Sequence, residues 1–93
     1  MFIISGGRGT GKTKVLLQKA ADEGATIACA DPAAMRERAH AYGIVGLNII
    51  AHEDVAIFKA AYPDKADSLY IHDLKKFLET NFPWVSGYTL SFE

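Results

Sequence analysis

Near its amino end the chain reads Gly6-Gly7-Arg8-Gly9-Thr10-Gly11-Lys12-Thr13. Glycines at this density let successive main-chain N–H groups turn inward and wrap an anion. A helical pattern follows, and the amino end of a helix adds the positive pole of its dipole. Lys12 has the reach to contact the outer phosphates of a bound polyphosphate, and the Thr13 hydroxyl has the chemistry of a Mg2+ ligand. The competing reading is a glycine-rich turn with an incidental Lys-Thr pair. A second stretch, Leu69-Tyr70-Ile71-His72-Asp73, is an apolar run that ends in an acid. Asp73 could hold Mg2+ through water, or cap the helix that follows it. Both roles can coexist. By strand alternation, His72 is expected to point away from the side that Asp73 faces.

These residues need elements to position them. Phe2-Ile3-Ile4-Ser5 is a short apolar run suited to a buried strand. Residues 12–23 read as a helix with Val15, Leu16, Lys19 and Ala20 on one side, stopped by Gly24. Residues 26–30 form a second small, apolar strand. Asp31-Pro32 is a helix start, with the acid as N-cap and proline at the first helical position. Met35, Ala39 and Tyr42 stripe the helix it opens. Strand three falls at residues 47–50. A third helix covers residues 53–62, with Val55, Phe58 and Tyr62 on one face and Pro63 behind it. Strand four is residues 68–72, and Leu74, Phe77 and Leu78 mark a fourth helix beginning near Asp73. Residues 87–92 alternate as a fifth strand. Strands alternating with helices imply an α/β fold: a three-layer α-β-α domain spanning residues 1–93, with a five-stranded, mostly parallel sheet. Ligands of such sheets sit beyond the carboxyl ends of the strands, where the glycine loop falls.

The pattern Gly6-x-x-x-x-Gly11-Lys12-Thr13 resembles the Walker A motif of the P-loop NTPase superfamily, and Leu69 to Asp73 resembles its Walker B strand. The resemblance implies that Gly6, Gly7, Arg8, Gly9, Thr10, Gly11, Lys12, Thr13 and Lys14 bind a nucleoside triphosphate such as ATP. It implies that Thr13 and Asp73 serve Mg2+, and that Lys12 and Asp73 are the catalytic pair. The layout is most similar to the first RecA-like domain of superfamily-one helicases. Residues 28–38, rich in Ala, Met and Arg, have the texture of that domain's second strand and helix, and Ala51-His52-Glu53-Asp54 supplies polar residues at the end of the third strand. That likeness implies the strand order 1-5-4-2-3, with helices one and two on one face and three and four on the other. Small P-loop proteins of phage resemble the chain in size.

Two parts of a working helicase-type ATPase are missing from the pattern. Leu74 follows Asp73 where such enzymes carry a water-orienting Glu. Glu53, Asp54 and His72 are the available substitutes, each with an ordinary structural reading as cap, first-turn acid or packed histidine. No arginine is placed as a finger, although Arg8 lies in the loop and Arg36 and Arg38 lie on the second helix. Phosphoryl transfer without these parts is expected to be slow, or to depend on a protein partner or homo-oligomer that supplies an arginine. Ninety-three residues leave no room for a second RecA-like domain, so a freestanding helicase is not expected. The alternative is a non-enzymatic, nucleotide-gated module docking on a larger nucleic-acid-processing complex. A small-molecule kinase fits less well, because neither a lid nor an acceptor site is visible.

Composition narrows the classes further. The chain is 49% hydrophobic and 23% charged with a net charge of −1, which argues against direct nucleic-acid binding. No apolar run is long enough for a membrane span or a secretory leader. One cysteine, Cys29, is compatible with a reducing, cytoplasmic setting.

Overall fold

The computed structural model describes Ile3, residues 11–64 and residues 68–91. Its centre is β1, Thr26–Cys29, a Thr-Ile-Ala-Cys strand buried along its whole length. It is flanked by β2, Asn48–Ala51, and β3, Leu69–Ile71, in the order β2-β1-β3. Both pairings are parallel: Ile27 stands opposite Ile49 on one side and Tyr70 on the other. A central parallel strand is covered on both faces, which is why β1 has no polar alternation. At its start, Asn48 Nδ2 donates to Thr26 Oγ1 at 3.1 Å, so the one hydroxyl on the strand is satisfied.

Four α-helices surround this sheet among the described residues: α1 Lys12–Glu23, α2 Pro32–Ala41, α3 Val55–Ala61 and α4 Leu74–Asn81. Gly24, at φ 65°, ends α1: its N–H reaches the Ala21 carbonyl, and the Ala25 N–H reaches Ala20 at 2.8 Å. That pair of hydrogen bonds is the helix stop that favours a left-handed glycine. Asp31 caps α2 by accepting from the Ala34 N–H at 3.1 Å. The core lies between α1, α2 and one face of the sheet, and contains Leu17, Ala20, Met35, Ala39, Ile27, Cys29 and Ile49. Leu17 and Ile27 are wholly buried, worth roughly 1.5–3 kcal/mol each. The opposite face is thinner, since Ile50, Leu69 and Ile71 are only half-buried and neither α3 nor α4 contributes a buried residue.

The five-stranded sheet in the order 1-5-4-2-3 is therefore corrected to a three-stranded one. β1, β2 and β3 correspond to the second, third and fourth expected strands. Residues 87–91 form no strand, and Tyr88 and Leu90 are exposed. Alternation shows that a segment suits a half-buried pleated surface, and among the described residues no neighbouring strand gives these side chains that surface. Of the first expected strand only Ile3 is described, and it is not in a strand. The buried side of α1 is also rotated by about one position: Leu17 joins Ala20 inside, and Val15 is 51% exposed.

Candidate functional site

The carboxyl ends of β1, β2 and β3 and the amino end of α1 converge. Gly11 is the N-cap of α1 at φ 74°, in the left-handed region that glycine tolerates. It offers no side-chain cap, and the first turn holds no acid. The first intrahelical bond runs from the Val15 N–H to the Gly11 carbonyl at 3.2 Å. Lys12 and Lys14 in this turn add positive charge at the positive pole of the dipole. Gly6, Gly7, Arg8, Gly9 and Thr10 lie outside the described residues. The Lys14 ammonium stands 5.8 Å from the centre of the Tyr42 ring, so its side chain is drawn to α2.

Thr13 is half-buried, and its Oγ1 lies 3.2 Å from His72 Nε2. His72 ends the β3 run, with its N–H bonded to the Ala28 carbonyl at 2.9 Å. The two motifs thus meet through Thr13 and His72, one residue short of Asp73. Asp73 itself adopts φ 63° and is the only non-glycine residue at positive φ among the described residues. Its carboxylate accepts from the Lys76 N–H at 3.3 Å, so it caps α4. A left-handed aspartate is tolerated because its short polar side chain bonds locally.

A second histidine holds this corner from below. His52 follows β2, is 1% exposed, and its Nε2–H donates to the His72 carbonyl at 2.8 Å. That bond assigns the proton to Nε2, and Nδ1 is buried without a hydrogen-bond partner. The ring meets Phe77 edge-on at 5.6 Å. Asn81 Nδ2 donates both to the His52 carbonyl and to the Phe77 carbonyl, each at 3.1 Å. A continuous chain of contacts thus runs from α4 through His52 and His72 to Thr13. Burial pushes the His72 imidazole below its ordinary value; Arg38, His52 and Lys76 act in the same direction, and Asp73 opposes them.

Sequence reasoning put Thr13 and Asp73 at this end of the sheet, and named His72 as a substitute water-orienting group or a packed side chain. It missed His52 as the support of the corner and gave Asn81 no role. The polar run 51–54 after a strand was the available signal for His52, and Asn81 carried none. Glu53 and Asp54 are exposed and form the one-turn 3-10 helix after β2, Arg36 and Arg38 are exposed on α2, and Leu74 is 42% exposed in the position after Asp73. A hydroxyl and a carboxylate are the oxygen donors that suit Mg2+, which keeps most of its waters and shares phosphate oxygens. Thr13 and Asp73 fit that ion. Among the described residues no group of three or more His, Cys, Asp or Glu is arranged to hold a metal, so the other ligands would come from phosphate and water. No helix among the described residues is long and apolar enough to cross a membrane. Compared with protein-family models, curated proteins and solved structures, the chain has no match.

Proposed function

We propose that this chain is a P-loop-type domain that binds a nucleoside triphosphate, ATP in the first instance, together with Mg2+. The observation that supports the reading is the meeting of Thr13 with His72, the residue before Asp73, at the carboxyl end of the sheet. An uncapped helix start with two lysines is electrostatically suited to a polyphosphate. Lys12 contacts the outer phosphates, while Thr13 directly and Asp73 through water hold Mg2+. The ion supplies neutralisation of phosphate charge. Residues 6–14 bind and orient the triphosphate through their main-chain amides.

Hydrolysis by this domain is weak. Leu74 occupies the position after Asp73, and a hydrocarbon cannot orient water. An arginine from a partner or a second copy would add the missing charge stabilisation. We place the domain in the cytoplasm, a reading that its single free thiol, Cys29, supports. Calorimetric titration with Mg-ATP tests the reading. Wild type binds and Lys12→Ala loses most of the affinity, while phosphate release stays slow in both. Equal binding by Lys12→Ala eliminates the proposal.

A second reading has its own support. Trp84, Val85, Tyr88 and Leu90 are exposed in the carboxyl-terminal stretch, with Trp84 at 74%. Apolar groups gathered on one exposed segment mark an interaction surface. In that reading nucleotide gates docking to a larger nucleic-acid-processing assembly, and nucleic acid is contacted only indirectly. Size-exclusion chromatography of the chain with its candidate assembly, with and without Mg-ATP, distinguishes it: a nucleotide-dependent shift supports gating, and an unchanged profile rejects it.

A further inference from the structure

Thr13 was expected to face a metal, yet its hydroxyl is already engaged by a side chain that no Walker-type pattern supplies. A threonine hydroxyl has one proton and two lone pairs. If the proton is donated to His72 Nε2, both lone pairs remain for a cation. A hydroxyl that ligates a cation is a better proton donor, and an acceptor for that proton fixes the direction of its lone pairs. Groups one shell out from a metal do this work and are worth a large factor in metal affinity.

The geometry points to His72 as such a group: we propose that His72 is a positioning residue for Mg2+, accepting the Thr13 hydroxyl proton and turning the oxygen toward the ion. The inference rests on the nucleotide reading given above. Three features make the contact a built one. Oγ1 and Nε2 lie 3.2 Å apart across 59 positions of sequence. The His72 main chain is clamped from both sides, by its N–H to Ala28 at 2.9 Å and by its carbonyl to His52 at 2.8 Å. The clamp is itself rigid, because His52 is buried against Phe77 and its carbonyl is tied to Asn81. The main chain that carries the ring is therefore held in place beside Thr13. Asp73 caps α4 with its carboxylate, so the side chain that reaches Thr13 belongs to the preceding residue.

The experiment separates metal affinity from nucleotide affinity. ATP binding is measured by calorimetry in excess Mg2+ and again in EDTA, for wild type, His72→Ala and His72→Gln. Mn2+ binding to the ATP complex is followed in parallel by electron paramagnetic resonance. A glutamine carbonyl can accept at nearly the place of Nε2, so it tests the acceptor function. Circular dichroism melts establish that each variant is folded. The expected result is a His72→Ala variant whose affinity in EDTA equals that of wild type, with Mg2+-dependent affinity and Mn2+ occupancy weakened by about 10–100-fold. His72→Gln recovers most of that loss. A folded His72→Ala protein with the full Mg2+ increment overturns the proposal, and so does equal weakening in both buffers, which marks a purely structural histidine. Wild type that binds no ATP in either buffer overturns the nucleotide reading and this inference together, an outcome distinct from the other two.

Discussion

Substituting Gly11 by alanine separates the backbone of the loop from its side chains. Gly11 sits at φ 74°, and a Cβ built on it meets no atom within 4 Å. The cost is therefore conformational and carries no clash. An L-residue in this region loses roughly 1–2 kcal/mol. Alanine also restricts the unfolded chain, which offsets about 0.4–1 kcal/mol, so a net loss of about 1 kcal/mol remains. For a domain of this size that lowers the melting temperature by about 4–8 °C. Gly24 is the internal control, at φ 65° and with equally open space around its Cβ. It stops α1 at the opposite end from the proposed ligand. Gly24→Ala is expected to show that loss of stability and to bind Mg-ATP like wild type. Gly11→Ala sheds strain by relaxing its turn in the free protein, so it melts later than Gly24→Ala, and it must regain the left-handed geometry on binding, so its affinity falls by up to about 5–30-fold. Differential scanning calorimetry and a binding titration on both variants make the comparison. Wild-type affinity in Gly11→Ala, or an equal loss of affinity in Gly24→Ala, refutes the argument that this turn shapes the anion site.

Further outcomes follow from the same geometry. Leu74→Glu restores an acid after Asp73 at an exposed first-turn position where the helix dipole favours it, and should raise phosphate release by up to about 10²–10⁴-fold with little change in stability. His72 has a folded value below the ordinary 6.5, so the unfolded chain binds more protons between the two values. Its contribution to stability is complete above about pH 6.5 and is lost as the pH falls through the depressed folded value; urea midpoints between pH 7.5 and 5.5 should drop more for wild type than for His72→Gln. Cys29 is fully buried and burial pushes its thiol up, so a thiol reagent should label it only as fast as the protein opens, and stoichiometrically in denaturant.

What the sequence made legible was local. Asp31-Pro32 and Gly24 are chemical punctuation, and α2 begins and α1 ends where they stand. β1 was readable because a strand buried along its whole length carries little that is polar to dilute its signal, and β2 and β3 were readable as short apolar runs between helical patterns. Residues 87–91 misled because alternation records suitability for a sheet and says nothing of whether a neighbouring strand exists. The α1 stripe was misread because Val15, Leu16 and Leu17 are consecutive apolar residues, and only packing against β1 selects Leu17 for the interior. His72 and Asp73 engage different partners, Thr13 and the first turn of α4, but β3 ends at Ile71, so strand alternation does not extend to either of them. His52 and Asn81 entered through contacts 20 and 29 positions long, which no local pattern encodes.

The central claim is that the main-chain amides of residues 6–14 enclose a triphosphate. Amide chemical shifts of the isotopically labelled chain, followed through a titration with Mg-ATP, test it most directly. The account predicts saturable shifts that are largest at residues 6–14, with smaller ones at His72 and Asp73, and none of comparable size in Lys12→Ala. Saturating nucleotide that leaves those amides in place, or moves most strongly the residues of α4 or of the carboxyl-terminal stretch, contradicts it.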